Sequence, residues 1–562
     1  MSRDTPTPPP PPVGVPATAE APPAEAGARV WTEVAAFLGR AATHRLAEAP
    51  IRIDTHAAAV FLAGPLAYKI KRPVRFPFLD FTTLAAREAA CRREIAVDRP
   101  IAPQIYRRVV AITREADGRL MIGGAGAPVE WAVEMNRFDE TATLDRVVAR
   151  GPLDPALVDA FAANVARMQA RARRREAAPW IADLGRYLDQ NAEAFAARPD
   201  LFAPAAVAAL ERRARERLAE LGDLLEVRGR LGFVRLGHGD LHSGNVAVID
   251  GEAQPFDAIE FDDAIATGDI LYDAGFLVMD LADRGDRAAA RRFLDRLIVE
   301  ATRREAEARV ARGAPAGAET IAATLLEQID GLAALDLFLS IRAALRAKIA
   351  AARAVGLEGP ARAAAEDEAR RFFAAALDHL APATPRLVAI GGLSGAGKTR
   401  VAVGAAPWLA PSPGAIVLRS DEIRKLVAGV TATTRLGPEH YTAEASAPVF
   451  DLLYRAAARA LAAGRSVIVD SVAATPTGRA RLAEIAARAE VPFTGIWLDV
   501  DEAVATARVG ARRGDASDAD AAVVHRQRGY DLGAIDWPRI DANGTPEATL
   551  AAARDLIGLL DR

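Results

Sequence analysis

The period of the apolar positions changes several times along the 562 residues, and each change marks a different kind of element. A short helix near Val30 is followed by strand-like runs, AVFLAG (59–64) and AYKIKRPV (67–74), and then by a helical stretch over 84–98. WAVEMNRF (131–138) reads as a further strand, and 154–225 is mostly helical. Residues 233–260 return to short strands and turns, and 283–380 carries long alanine- and arginine-rich helices interrupted near 312–318. Beyond APATPR (381–386), strand-like RLVAIGG, AIVLRSD, RSVIVDSV and FTGIWLDV alternate with helical runs, the pattern of βαβ units on a parallel sheet. The expectation is a multidomain chain: a two-lobed α+β unit over 29–380, a linker at 381–386 and an α/β unit over 387–562.

Composition narrows the classes. Residues 1–28 hold nine prolines among Ala, Thr and Glu and read as a disordered tail. Lysine plus arginine total 71 against 74 acidic residues, a net charge of −3 with no global footprint for nucleic acid or an anionic membrane. A single cysteine, Cys91, excludes a disulfide framework and a cysteine-based zinc site. No apolar run approaches the roughly 20 residues that span a bilayer, and the N-terminus lacks the apolar core of a secretory signal, so a cytoplasmic protein without a membrane partner is expected. Only five residues are lysine (Lys69, Lys71, Lys348, Lys398, Lys425) in a chain whose basic residues are otherwise arginine. Positions that keep lysine are therefore candidates for needing a compact, point-like ammonium.

One of those lysines, Lys398, falls in a phosphate-loop pattern. Gly392-Leu393-Ser394-Gly395-Ala396-Gly397-Lys398-Thr399 matches G-x-x-x-x-G-K-[ST] between a strand and a helix. Glycines let backbone N–H groups turn onto phosphates, the helix N-terminus adds positive dipole, Lys398 reaches the β/γ-phosphates and the Thr399 hydroxyl binds Mg²⁺. Asp421 and Arg424 follow the second strand in a D-x-x-R spacing, suited to orienting or deprotonating an acceptor hydroxyl and clamping an anionic group. An N-cap aspartate with a surface arginine is the alternative. Asp470 ends the strand SVIVD, where an acid would hold Mg²⁺ directly or through water. Arg508 and Arg512 are spaced to share a helical face, either as a lid over the transferring phosphoryl group or as a solvated face. GLSGAGKT, SDEIR, VIVD and the arginine run resemble the small P-loop kinases of the polynucleotide kinase and zeta-toxin group over 386–550. The resemblance implies Asp421 as acceptor base or orienter and leaves the acceptor open, nucleic acid being a candidate for this half alone.

The second constellation lies in HGDLHSGNVAVIDGEAQPFDAIEFDD (238–263). Asp240 and Asn245 have the D-x-x-x-x-N spacing of a kinase catalytic loop, aspartate for the acceptor hydroxyl and asparagine for Mg²⁺. Asp250-Gly251 predicts a two-residue hairpin that pairs Ile249 with Glu252 and Asn245 with Phe256, setting Asp257 beside Asn245 as a second oxygen ligand. Pro255 lacks a ladder donor and weakens that end. His238 is expected to brace the loop by hydrogen bonding. Lys69 and Lys71 share a strand face, and Glu88 and Glu94 lie on the following helix; the A-x-K register favours Lys69 for the nucleotide phosphates, with Glu94 as its partner.

HGDLHSGN…FDAIEF resembles the aminoglycoside phosphotransferase group, which has a protein-kinase-like fold. With THAAAVFLAGPLAYKIKRPVRFPFLDF and LYDAGFLVMDL, the likeness extends to bacterial proteins that fuse such a domain to a P-loop domain, over almost all of 30–562. It implies Asp240 as the catalytic aspartate with Asn245 and Asp257 on Mg²⁺. No G-x-G-x-x-G precedes Lys69, only Gly64. The leading expectation is an ATP- and Mg²⁺-dependent enzyme with two kinase-type halves acting on small-molecule hydroxyl acceptors. The alternatives are a single catalytic half with a nucleotide-binding regulatory partner, and a non-enzymatic, nucleotide-gated interaction protein.

Overall fold

Thr83 starts the helix Leu84–Asp98 by accepting a hydrogen bond from the Ala86 amide, and the helix then buries Glu94 and Asp98 against a sheet. The computed structural model, which describes residues 25–76, 79–511 and 516–559, arranges that sheet as six antiparallel strands. Their order is Ile51–Asp54, Ala58–Ala63, Leu66–Lys71, Ala127–Asn136, Tyr106–Arg114 and Leu120–Ile122. One face packs Phe61, Ile70 and Ile112 against Val34 and Leu38 of the helix Glu25–Leu38. Residues 25–28, expected in the tail, belong to this helix because its apolar stripe has a sheet to cover; 1–24 lie outside the described residues.

The second lobe is helical, with Pro155–Arg171, Ala177–Ala196, Arg287–Ala311 and Leu335–Val355 around a core that includes Phe161, Trp180, Phe276, Phe293 and Phe338. Two small antiparallel ladders stand against it. Val246–Ile249 pairs with Glu252–Pro255 in the expected register, Ile249 opposite Glu252, and the Phe256 amide donates to the Asn245 carbonyl at 2.9 Å. Asp250 (φ 51) and Gly251 (φ 81) make the turn, whose positive φ values suit these two residue types. Pro255 stays in the ladder opposite Val246.

Residues 381–386 contain no helix or strand. After them five parallel strands run in the order Ile416–Arg419, Val467–Asp470, Leu387–Gly391, Phe493–Asp499 and Arg539–Asp541. Leu387–Gly391 is buried along its whole length, as a central parallel strand covered on both faces must be. The apolar core of the helical lobe continues without a break into this domain through Leu387, Ile416, Val449 and Leu453. The fold is thus a kinase-like N-terminal domain joined to a parallel-sheet P-loop domain.

Candidate active sites

In the N-terminal domain, strand Leu66–Lys71 points Lys69 and Lys71 to one side because residues two apart share a face. Both meet Glu94, Lys69 at 2.9 Å and Lys71 at 2.6 Å. The expected Lys69–Glu94 pair is present, but Glu94 is shared. Each lysine also has a carboxylate from the hairpin side: Lys69 donates to Asp257 at 2.6 Å and Lys71 to Glu260 at 2.5 Å. Burial disfavours the Lys69 ammonium, yet Asp257 and Glu94 outweigh it and hold the group well above the ordinary lysine range. Burial likewise pushes Asp257 and Glu94 up, and the lysines overcome it, leaving both carboxyls below their usual values. Glu88 pairs instead with Arg92 on the exposed side of the helix.

On the hairpin side, Asn245 donates Nδ2 to the Asp240 carbonyl and to Asp240 Oδ2, both at 3.0 Å, leaving its oxygen end as an acceptor. Asp240 Oδ1 is buried without a hydrogen-bond partner among the described residues, a carboxylate oxygen suited to a cation or to an acceptor hydroxyl. His238 does brace the loop, its Nε2 lying 3.1 Å from the Phe256 carbonyl and its amide donating to Asp273 at 3.0 Å. Asp273 also takes the Gly239 amide at 2.9 Å, and Asp280 takes the Ser243 amide at 3.0 Å. Two carboxylates of the helix Ile270–Asp283 therefore pin the loop that carries Asp240 and Asn245.

In the P-loop domain, Gly395 (φ 87) and Gly397 (φ 89) turn the 392–399 loop, and a Cβ on Gly395 would come within 2.7 Å of the Ala505 backbone. The Thr399 hydroxyl donates to Asp470 Oδ2 at 2.6 Å, and Arg419 Nε lies 3.4 Å from the same oxygen. Lys398 donates to the Leu393 carbonyl at 3.1 Å. Asp421 lies in the first turn of the helix Ser420–Val427, whose N-cap is Arg419, so it is not a capping residue. Burial raises its carboxyl, with Arg419 opposing. Arg424 donates to Ser446 Oγ at 3.1 Å and stacks on Tyr441 at 4.7 Å, turned toward the 438–446 segment.

These groups line a cleft of about 2270 Å³, larger than the roughly 300–1,000 Å³ of a single small-ligand pocket. Its rim includes Pro155 and Arg292 of the N-terminal domain. Arg508 lines the cleft but donates to the Ala542 and Gly544 carbonyls at 2.8 and 2.9 Å. Its helix ends at Gly510, so the shared face expected for Arg508 and Arg512 is not formed by that helix, and Arg512 lies outside the described residues.

Several contributors had no reading of their own in the sequence. Gln527 accepts the Ser394 amide at 2.7 Å, bringing the helix Ala521–Arg528 onto the phosphate loop. Lys425 pairs with Asp518 at 2.5 Å, and Tyr441 donates to the same carboxylate at 2.6 Å, closing 516–520 over the cleft. The scarcity of lysine flagged Lys71 and Lys425; no local pattern flagged Asp98, Tyr106 or Gln527.

Two family models match the chain: "Phosphotransferase enzyme family" over residues 74–309 and "AAA domain" over 387–530. An uncharacterized protein of Mycobacterium tuberculosis is 30% identical over 513 residues, covering 89% of this chain and 94% of that one. Among solved structures, a choline kinase from Cryptosporidium parvum is 10% identical with a TM-score of 0.35, over 59% of this chain and 88% of that one. A sugar kinase from Janibacter is 24% identical with a TM-score of 0.24, over 31% of this chain and 95% of that one. With 89% of its length matched at 30% identity, the chain belongs to the same family as the uncharacterized Mycobacterium tuberculosis protein, and it joins a phosphotransferase enzyme family domain to an AAA domain of the P-loop type.

Proposed function

We propose that this protein is a phosphotransferase with two active sites, each moving the γ-phosphoryl group of ATP to a hydroxyl of a small molecule. The observation that supports the reading is a connected set of contacts: Lys69 pairs with Glu94 and Asp257, the Phe256 amide next to Asp257 donates to the Asn245 carbonyl, and Asn245 donates to Asp240, whose Oδ1 is buried without a partner among the described residues. In the N-terminal site Lys69 binds the phosphates and Glu94 holds it. Asp240 takes the acceptor proton as the acceptor oxygen bonds to the γ-phosphorus and the bond to the β-phosphate oxygen breaks, releasing ADP. In the C-terminal site the 392–399 amides and Lys398 cradle the phosphates, and Asp421, a carboxyl raised by burial, faces the acceptor.

Mg²⁺ supplies charge neutralisation on the β- and γ-oxygens. Asn245 with Asp257, and Thr399 with Asp470, are the oxygen donors that would hold it, and these hard oxygen sets suit it.

The test is untargeted. The chain is incubated with ATP, Mg²⁺, a metabolite extract and a 5′-hydroxyl oligonucleotide, and products heavier by one phosphoryl group are sought. Asp240→Ala is expected to remove one product class and Lys398→Ala another. Unchanged phosphotransfer in both variants overturns the reading.

A further inference from the structure

Asp257 is one of five non-glycine residues among those described whose backbone is left-handed (φ 60). A residue held there persists only where its surroundings over-determine it. Here both flanking amides are taken by side chains of the other lobe. The Asp257 amide donates to the Tyr106 hydroxyl at 3.0 Å, and the Ala258 amide donates to Asp98 Oδ1 at 2.8 Å. Tyr106 opens the strand Tyr106–Arg114 and is 2% exposed; Asp98 ends the helix Leu84–Asp98 and is 0% exposed. That helix carries Glu94 one turn earlier, so a single rigid element sets both the carboxylate on Lys69 and the acceptor for the Ala258 amide.

We infer that Asp98 and Tyr106 are positioning residues: they hold the Asp257 backbone in its left-handed turn and so aim its carboxylate into the cleft, tying the strand-rich lobe to the ion-binding side of the site. The Ala258 amide is buried, its residue being 1% exposed, and the Asp257 amide is part-buried, so losing either acceptor leaves a shielded N–H without a partner and frees Asp257 to relax toward the β region. Asparagine at 98 keeps an acceptor oxygen at the same reach, whereas alanine does not. Phenylalanine at 106 keeps the ring and removes only the acceptor.

This inference rests on the ATP reading of the N-terminal site, and the experiment separates the two. Full-length chain carrying Lys398→Ala, which disables the other phosphate loop, is titrated calorimetrically with the non-hydrolysable analogue AMP-PNP over a series of Mg²⁺ concentrations. Asp98→Ala and Tyr106→Phe are expected to raise the Mg²⁺ concentration for half-maximal binding at least ten-fold. They are expected to change metal-free analogue binding less than two-fold, while Asp98→Asn stays within three-fold of the parent. Parental Mg²⁺ midpoints in the Ala and Phe variants, or an Asn variant as impaired as the Ala variant, overturn the inference. Should Asp98→Ala lose its melting transition, Tyr106→Phe and Asp98→Asn decide it. A Lys398→Ala parent that binds no analogue overturns the ATP reading itself, and this inference with it.

Discussion

Arg296, on a helix of the N-terminal domain, reaches across the domain boundary to Glu422 at 3.1 Å, one residue from Asp421. Glu422 is shared with Arg419, also at 3.1 Å, and Arg419 in turn lies 3.4 Å from the Asp470 carboxylate that holds the Thr399 hydroxyl. The partners are largely shielded, with side chains 12–14% exposed, so removing one of them costs more than breaking a solvated pair. Arg296→Ala leaves Glu422 drawing on Arg419 alone and loosens Arg419 from Asp470. Mg²⁺-dependent analogue binding at the P-loop site, measured in a Lys69→Ala background that disables phosphate binding at the other site, is expected to weaken several-fold, although the substitution lies in the other domain.

Lys71 separates two carboxylates in a nearly closed space, Glu260 being 5% exposed and Glu94 0%. Replacing it with methionine leaves Glu260 buried and unpaired, which costs about 3–5 kcal/mol. Lys71→Met is expected to lower the denaturation midpoint markedly, while Lys71→Arg recovers only part of the loss because a planar fork does not fit a site built for a point charge. Urea unfolding of the three proteins checks this.

Gln527 offers the Ser394 amide a neutral acceptor. Gln527→Glu keeps the acceptor but adds a negative charge beside the phosphate loop. Analogue affinity at the C-terminal site is expected to fall about ten-fold, given that like charges near 4 Å repel by about 4 kcal/mol at intermediate dielectric before solvent relaxation. Calorimetry in the Lys69→Ala background reads the change.

His379 carries the clearest pH dependence. Burial first, and then the nearby Arg465, lower its imidazole to about 4. The unfolded chain binds a proton near pH 6.5 that the folded chain refuses until about pH 4. Stability is therefore expected to fall as pH drops through that window, by on the order of 1–3 kcal/mol, and to level off below it. His379→Gln should flatten this part of the profile; an unchanged slope in urea midpoints between pH 7 and 4 refutes it.

Cys91 is buried and burial pushes its thiol up to about 12. Iodoacetamide at pH 8 is expected to leave the native chain unmodified and to alkylate it fully in denaturant, as intact-mass spectra would read directly.

Much of this was legible along the chain. The Gly395–Gly397 turn, the Asp250-Gly251 hairpin and the register that brings Asn245 to Phe256 are local chemistry, set by φ preferences and a period of two, and they appear where the residues predict them. So does the helix Leu84–Asp98. The lid geometry at Arg508 was not legible, because helical spacing does not report where a helix stops or which carbonyls a long side chain finds. Residues 25–28 looked like tail from composition, yet join a helix because a sheet face lies within reach.

The amino-acid order alone determined the division into two domains, the phosphate loop, and the spacing of Asp240, Asn245 and Asp257, since each depends on neighbours a few residues away. Only the tertiary structure decided that Glu94 serves two lysines, that Asp98 and Tyr106 grip the turn at Asp257, that Gln527 touches Ser394, and that Arg296 reaches Glu422. Those partners stand 23 to 160 positions apart, from Lys71 and Glu94 at 23 to Tyr106 and Asp257 at 151 and Asp98 and Ala258 at 160. Contacts at such separations arise from how lobes and domains pack, which no local periodicity encodes.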